Sequence, residues 1–511
     1  MKPQTKHLIR WLAITAFAIA LILLFISLFQ NFVKPPKANL PAREARAVWM
    51  SRFDYTELFT THAPDSIRAY IDESFRQIHD ANFNMVFFQV RGNGDAFYKS
   101  KYEPWSSMLT GTLGKNPGWD PLEFAIQTAH RYGLELHAWI NAFPAWRGLD
   151  DPIRTIPLHP YLLHPEWIVC NSSGKPMLKS DHYISFSPGI PDAREYIVRV
   201  VADIVSKYDV DGIHFDYIRY PEDSPELGYS HDRVSVRRFK SPESNPLNLN
   251  WDDWQRDQVT AFISKAYDTI TSIKPYVKVS ASVVGNYKTS EWNGYNTVYQ
   301  DARRWVEIGK IDMIIPMIYY QRNYHENSFP TVVKEWKETI HKERPVFAGL
   351  GAYTVDWDEI LLEIDDARNI GLPGLVFFAI SSLDSEKLAS LKSTKFQYPT
   401  LLPALSWKDT ISPMTPNNFQ ITKEEKQIRF SWAAPDIPKD LEVAQQYVIY
   451  RSKFKPVDTT RGENIFVIVP GTQTEWMVGS QINSDNFYYT ITALDHAKNQ
   501  SAVLPAVRIV H

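Results

Sequence analysis

Eight short apolar runs alternate with helical, amphipathic stretches between residues 47 and 381, and this alternation limits the possible folds more than any other feature. Runs such as Met85–Val90 are almost continuously apolar, as expected of parallel strands that are buried on both faces. Repeated β-α units with eight strands predict a closed (β/α)8 TIM barrel. The predicted strands are Ala47–Ser51, Met85–Arg91, Glu135–Asn141, Gly212–Tyr217, Lys278–Val284, Met313–Tyr319, Val346–Tyr353 and Gly374–Ser381.

The stretches between the strands have the spacing of helices with one apolar face. Asp65 and Asp120 precede two of them as N-cap residues, and Pro121 suits a first helical turn. The loop from Asn141 to Asp192 is too long for a simple connection, so we expect it to shape the functional site. The predicted helices include Ser66–Ala81, Pro121–Tyr132, Ala193–Tyr208, Trp254–Ile273 and Asp301–Gly309.

The helical pattern stops after Tyr398. Prolines mark a linker there, and strand-like runs follow without helices, over a length that suits a β-sandwich. Segments such as Tyr447–Arg451 resemble strands of a fibronectin type III module. We therefore predict a barrel over residues 43–395, a linker over 396–413 and an all-β, fibronectin type III-like domain over 414–511. The strands predicted in this domain are Gln427–Trp432, Gln446–Arg451, Glu475–Val478, Asn486–Leu494 and Ala506–Val510.

The N-terminal segment predicts a transmembrane helix. Residues Trp11–Phe29 are 19 uncharged residues, which as a helix would measure about 28 Å, close to the hydrocarbon thickness of a bilayer. Three basic residues precede them, so residues 1–10 are expected in the cytoplasm and the rest outside it. No A-x-A-like cleavage site follows, which favours an uncleaved anchor over 11–33 and a stiff tether over 34–42 rather than a signal peptide. The body is therefore predicted to be extracytoplasmic, in the periplasm or at the cell surface.

Composition excludes several functional classes. The 55 basic residues are balanced by 58 acidic ones, whereas a nucleic-acid protein needs a clustered basic excess. No glycine-rich phosphate cradle appears, and the histidines lack metal-ligand spacing. The single cysteine, Cys170, rules out an intramolecular disulfide and suits an oxidising compartment. We therefore expect no nucleic-acid partner, no metal and no cofactor.

The reacting groups of a (β/α)8 barrel lie at the carboxyl ends of the strands and in the loops that follow them. In this chain those positions hold arginines, carboxylates, amides and many aromatic rings. A neutral polyol ring needs hydrogen bonds at its rim and a flat apolar surface beneath it, so this lining favours a carbohydrate. The predicted substrate-binding residues are Trp49, Gln89, Arg91, Asp95, Trp139, Asn141, Tyr217, Arg219, Trp292 and Tyr319.

The fourth predicted strand carries the most specific motif, which runs from Asp211 to Pro221. Alternation along the strand places His214 and Asp216 on the same face. We predict Asp216 as a catalytic residue that is ionised beside Arg219 or Arg91. A carboxylate at this position would stabilise an oxocarbenium-like transition state or attack it.

A glycosidase normally uses a second carboxyl group. We predict Glu291 as the general acid, because its neighbour Trp292 in the loop after the fifth strand favours the protonated form that an acid needs. The alternatives are Asp95, Glu222 and Asp301, the last of which suits a helix N-cap equally well. Substrate assistance by an acetamido group would remove the need for a nucleophile.

Several motifs of the chain, in the same order, are similar to those of the glycosyl hydrolase-like 10 family. They are Arg43–Trp49, Gln89–Tyr98, Glu103–Ser106, Leu109–Gly111, Leu136–Asn141, His164–Trp167 and the strand-four motif. Members are bacterial envelope proteins, often with a trailing fibronectin type III-like module, and one digests peptidoglycan glycan strands that have lost their stem peptides. The resemblance, over residues 43 to 395, implies a TIM-barrel glycosidase of such strands or of a related polysaccharide.

The chain departs from the pattern of many members at two positions. Tyr217 stands where a second aspartate often follows, and Met317 stands where a glutamine often does. We predict an extracytoplasmic glycoside hydrolase that cleaves a polysaccharide, with peptidoglycan glycan strands as the expected substrate. The alternative function is a non-catalytic glycan-binding or scaffold protein on the same barrel.

Overall fold

The computed structural model describes residues 41–57, 62–324, 327–340, 344–479 and 486–509. The described residues from Ala42 onward belong to one compact unit. The predicted transmembrane helix over 11–33 lies outside the described residues. No helix among those described is both long and apolar enough to cross a bilayer.

Eight parallel strands close into a barrel, as predicted. Their order around it is β1-β8-β7-β6-β5-β4-β3-β2, so each strand pairs with its neighbours in the chain. Side chains of one face fill the interior, and those of the other face pack against the surrounding helices. The strands are β1 (Ala45–Met50), β2 (Met85–Arg91), β3 (Glu135–Asn141), β4 (Gly212–Asp216), β5 (Lys278–Val284), β6 (Met313–Ile318), β7 (Ala348–Leu350) and β8 (Gly374–Phe378).

The helices around the barrel begin close to the predicted positions. The carboxylate of Asp120 caps its helix by accepting the N–H groups of Leu122 and Glu123. Asp65 is not an N-cap, because Pro64 already occupies the first helical position and Ala63 precedes it. The helices are Arg52–Thr56, Pro64–Asp80, Pro121–Arg131, Pro160–Leu163, Pro191–Lys207, Ser224–Leu227, Arg233–Lys240, Trp251–Ile273, Gly294–Thr297, Ala302–Glu307, Phe329–Thr339, Trp357–Ile370 and Ser385–Thr394.

The C-terminal module consists of two three-stranded antiparallel sheets, as expected of an all-β domain. Their inner faces share one apolar core that includes Phe430, Trp432 and Tyr489. Two strands were not predicted, Asn417–Lys423 and Ile465–Pro470, and the predicted strand Ala506–Val510 makes only one bridge, at Val507, within its described part. In spatial order the sheets are Asn417–Lys423, Gln427–Ala433 and Glu475–Gly479, then Ile465–Pro470, Gln446–Ser452 and Tyr488–Leu494.

The module packs against the amino end of the barrel. Glu135, the first residue of β3, forms a buried ion pair with Lys278 at 2.5 Å and a second with Lys498 of the module at 2.9 Å. Arg43, just before β1, donates to the backbone carbonyls of Leu402 and Lys498. A cavity of about 840 Å³ lies between the two parts at this end. The carboxyl ends of the strands, where the predicted site lies, are therefore at the opposite end of the barrel.

Candidate active site

A layer of rings closes the barrel interior below the mouth. Trp49 belongs to this layer, because it is 1% exposed and its indole N–H donates to His214 Nε2 over 2.9 Å. Burial lowers the pKa of His214 well below its usual range, so the neutral imidazole can accept that hydrogen bond. Phe87 packs against His214 with 4.2 Å between the ring centroids. Trp49 is thus part of the floor of the site and does not offer its surface to a sugar, contrary to the prediction.

Asp216 is the last residue of β4 and shares the interior face with His214. It pairs in register with Asn141 and is 5% exposed. Its Oδ1 accepts the backbone N–H of Tyr217 over 2.7 Å. Burial raises the pKa of Asp216 above its usual range, while the Arg219 guanidinium, this N–H group and the Trp139 indole act to lower it. The carboxyl group therefore lies between an apolar floor and the charge of Arg219.

The backbone directly after Asp216 is strained. Tyr217 has a φ of 49°, in the left-handed region that aromatic residues rarely adopt. This turn directs the chain back over the mouth, where the Arg219 guanidinium lies 4.4 Å from the centre of the Tyr217 ring. Arg219 is 6% exposed, and its Nε and Nη1 have no hydrogen-bond partner within the described chain. Both residues thus border the mouth, and their predicted role in substrate binding stays a prediction.

The four acids considered as proton donors differ in their surroundings. Glu222 accepts a hydrogen bond from Arg219 Nη2 at 3.2 Å, and its charge acts on Asp216 to raise the pKa of that group. Asp301 caps a helix by accepting the N–H of Arg304, so it is an N-cap. Glu291 is exposed in the loop after β5, and no described group bonds to it. Of these acids, Glu222 is therefore the one linked to Asp216 through a shared arginine.

Asp95 forms a buried cluster with Arg52. Although burial raises the pKa of Asp95, the Arg52 guanidinium and the N–H of Asn93 hold it below its usual range, which favours a permanently ionised group rather than a proton donor. Arg52 Nη1 occupies the space above Gly92, where an added Cβ would lie only 1.2 Å away. Gln89 accepts the N–H of Arg52 at 3.0 Å. The segment after β2, which belongs to the Gln89–Tyr98 motif, therefore positions the Arg52 side chain.

Arg91 does not line the mouth. It is fully buried and forms a bidentate ion pair with Glu103, with Nη2 to Oε1 at 2.8 Å. Its Nη1 donates to the backbone carbonyls of Asn141 and Ala142. Because its N–H groups are used within the protein, Arg91 fixes the ends of β2 and β3 and is available neither to Asp216 nor to a substrate.

The long loop after β3 contributes to the mouth, as expected. It forms a short hairpin of Pro144–Arg147 with Tyr183–Ser185. The Tyr183 hydroxyl accepts a hydrogen bond from Arg52 Nη2 at 2.9 Å, and its ring meets Tyr217 edge to face at 5.0 Å. Tyr183 was not predicted, because nothing in the sequence of the loop distinguishes it from the other aromatic residues there.

An aromatic wall forms the opposite side of the mouth. Tyr319 stacks on Phe378 with centroids 5.7 Å apart, and Tyr353 meets the edge of Phe378 at 5.5 Å. Trp139 completes the wall at 6.5 Å from Phe378. Tyr353 is 58% exposed, so a flat surface is open to solvent. Phe378 was not predicted as a site residue; its position at the end of β8 was the only available signal.

The remaining predicted residues have supporting or peripheral positions. Asn141 is buried and accepts a hydrogen bond from the Gln89 side chain at 3.1 Å. Trp292 is 43% exposed in the loop after β5. The mouth therefore combines a buried carboxyl group, a cation with free N–H groups, a second acid and a flat aromatic surface. Two carboxyl groups at one mouth are the pair that glycosidic bond cleavage normally uses.

The model of the family described as glycosyl hydrolase-like 10 matches residues 44–361. The chain belongs to this family, and it is a glycoside hydrolase. It is 28% identical to the glycosyl hydrolase YngK of Bacillus subtilis (strain 168), over 98% of each chain. It is 31% identical to the glycosyl hydrolase DigH of Escherichia coli (strain K12), over 68% of this chain and 83% of that protein.

Among solved structures, the PgaB (BpsB) glycoside hydrolase domain from Bordetella bronchiseptica matches 68% of this chain and 98% of its own. The TM-score is 0.49 and the sequence identity 13%.

Proposed function

We propose that the protein hydrolyses peptidoglycan glycan strands that have lost their stem peptides. The observation that carries this proposal is the position of Asp216 at the mouth, above an aromatic floor and beside Arg219. A carboxylate there faces the anomeric carbon of a sugar that rests on the aromatic wall. The family resemblance of the motifs supports the choice of polymer.

In this mechanism Asp216 acts as the ionised group. Positive charge develops at the anomeric carbon as the glycosidic bond breaks, and a nearby carboxylate stabilises that charge or forms a bond to the carbon. Arg219 favours the ionised form, since it counteracts the effect of burial on the pKa of Asp216.

The proton donor in this proposal is Glu222, which is joined to Asp216 through its hydrogen bond to Arg219. Unlike the buried Asp95, Glu222 has a largely exposed side chain, so a bound polymer can take the place of Arg219 as its partner and leave it free to carry a proton. Glu291 stays a prediction for the same role. Experiment can distinguish the two acids. Of the variants Glu222→Gln and Glu291→Gln, only the one that replaces the true proton donor should lose activity on the polysaccharide. Activity on a substrate with a good leaving group, which needs no protonation, should survive in that variant.

The proposal is tested with full-length protein in detergent and purified, peptide-free glycan strands. We expect new reducing ends with the wild type and a loss of about 10²–10³-fold in Asp216→Asn, the range for a lost group that stabilises charge in the transition state. Asn keeps the size of the side chain, so binding of the glycan should persist. Equal turnover by Asp216→Asn would contradict the role of Asp216. Retention of the strands without cleavage by the wild type would contradict hydrolysis of this polymer.

We also propose an extracytoplasmic location. The uncharged segment Trp11–Phe29 and the basic residues before it support export of the body. A reporter enzyme fused after residue 511, active only outside the cytoplasm, tests the orientation. Activity of a reporter that works only inside the cytoplasm would contradict it.

A further inference from the structure

The hairpin beside the mouth carries a further arginine, Arg147. This residue is the direct cross-strand partner of Tyr183, and directly opposed residues of an antiparallel pair have their side chains on the same face. The guanidinium carbon of Arg147 lies 6.0 Å from the centre of the Tyr183 ring. The Tyr183 ring in turn meets that of Tyr217, the residue directly after Asp216. Arg147 therefore lies on the side of the hairpin that borders the candidate active site.

The contacts of Arg147 position its side chain without neutralising its charge. Its Nε donates to the backbone carbonyl of Asp181 at 2.7 Å, and its guanidinium carbon lies 5.9 Å from the centre of the Phe53 ring. Within the described ranges, no carboxylate forms an ion pair with Arg147; Asp151 of the same loop pairs with Lys179 instead. Since Arg147 is exposed, its guanidinium is open to a ligand.

The neighbouring Arg52 contacts the same two rings but has a different environment. Its guanidinium carbon lies 4.8 Å from the centre of the Phe53 ring and 5.7 Å from that of the Tyr183 ring. Arg52 is 2% exposed, and its charge acts on the buried carboxylate of Asp95. A bound polymer therefore cannot reach Arg52, whereas Arg147 offers it a positive charge without a counter-charge.

We propose that Arg147 binds a carboxylate of the glycan beside the sugar on which Asp216 acts. This inference rests on the proposed function. A strand that has lost its stem peptides carries a free lactyl carboxylate on each muramic acid residue, whereas the stem peptide converts this group to a neutral amide. Arginine binds a carboxylate through charge-assisted hydrogen bonds that an amide cannot match in strength. Arg147 thus favours bare strands over strands that keep their peptides.

The test compares peptide-free strands with the same strands after conversion of their carboxylates to neutral methylamides. We expect the kcat/KM of the full-length wild type in detergent to be about 10-fold lower on the methylamide, the lower end of the range for a hydrogen bond to a charged group. Arg147→Gln should lose about 10-fold on the free strands, mainly through KM, and little on the methylamide. Arg147→Lys should keep part of the preference, because it keeps the charge.

The matched control is Arg131→Gln. Arg131 is an exposed arginine that lines the cavity at the amino end of the barrel, opposite the mouth. This variant should discriminate between the two polymers as the wild type does. Equal kcat/KM of the wild type on the two polymers would overturn the proposal and leave the proposed hydrolysis intact.

Equilibrium binding to the Asp216→Asn variant tests the inference independently of hydrolysis. Soluble fragments of the free strands should bind this variant about 10-fold more tightly than the methylamide fragments. The double variant with Arg147→Gln should bind both kinds of fragment alike. If the double variant keeps the preference, Arg147 is not its source and the proposal is wrong. A preference that depends on Arg147 in a protein whose wild type cleaves neither polymer would support the binding site and contradict the proposed function.

Discussion

Among single residues, Arg219 and Glu222 carry opposite charges that act on the same carboxyl group. Arg219 lowers the pKa of Asp216 and Glu222 raises it, against a background of burial that raises it. The acid limb of the pH–activity profile reports the ionisation of a group that must be charged. The two neighbours should therefore move this limb in opposite directions.

We predict that Arg219→Gln moves the acid limb of kcat/KM to higher pH by about one unit, because a cation that stabilises the ionised Asp216 is lost. Glu222→Gln should move the same limb to lower pH, because a negative charge is lost. If Glu222 is also the proton donor, the second variant loses its alkaline limb as well. A profile of kcat/KM against pH for both variants checks this, and an unmoved acid limb in both contradicts the assignment of that limb to Asp216.

Sequence analysis predicted the positions of single side chains least well. Trp49 and Trp139 both occupy carboxyl-terminal halves of barrel strands, and the sequence does not show that one hydrogen-bonds to His214 in the floor while the other lies beside Asp216. Arg91 was expected near Asp216, but its partner Glu103 comes from a loop with no regular pattern. Contacts between loops decide these positions, and alternation along a strand carries no information about them.

At the level of elements, the sequence predicted most of the barrel strands correctly. The ranges of β2, β3 and β5 agree with prediction to the residue. β2 is an almost continuous apolar run, whereas apolar and polar residues alternate along much of β3 and β5. β7 is only Ala348–Leu350, shorter than predicted, since Val346 makes only an isolated bridge and the chain enters a turn at Gly351. In the module, Ile465–Pro470 was missed because its residues are only half-buried and lack clear alternation.

The helix that begins at Pro121 provides a test of capping. Asp120 caps it, and its Oδ2 also accepts the Tyr208 hydroxyl at 2.6 Å. We predict that Asp120→Ala lowers the free energy of unfolding by about 2 kcal/mol, the upper end of the range for a lost cap. Asp65→Ala is the control; Asp65 is an exposed first-turn residue, so its loss should cost about 0.5 kcal/mol or less. Urea denaturation of both variants measures the decrease in the free energy of unfolding. Equal decreases in Asp120→Ala and Asp65→Ala contradict the prediction.

At the scale of the whole molecule, one buried carboxylate links the barrel to the module. Although burial alone raises the pKa of Glu135, Lys278 and Lys498 hold it well below its usual range. A depressed pKa in the folded state contributes stability above the pKa of the unfolded chain, and that stability is lost as the pH falls below it. Acid should therefore weaken this contact.

We predict that Glu135→Gln lowers the free energy of unfolding at pH 7 by about 3–5 kcal/mol, because two buried lysines lose their counter-charge. Lys498→Gln should cost less, since Lys278 still pairs with Glu135 at 2.5 Å. As the pH falls below the pKa of the unfolded chain toward the depressed pKa of Glu135, the difference between the Glu135→Gln variant and the wild type should decrease. Urea unfolding at pH 7 and pH 4 measures the free energy of unfolding of both variants. A larger decrease in Lys498→Gln than in Glu135→Gln contradicts the prediction.

Because Arg43 and Lys498 meet at the amino end of the barrel, the chain enters the barrel and leaves it for the module on the same side. When the protein is coupled to a solid support through the module, the support therefore lies at the amino end of the barrel, opposite the candidate site. Immobilised enzyme should keep its full turnover on long, insoluble polymers, whereas coupling through lysines introduced on the exposed rim near Tyr353 should block their access.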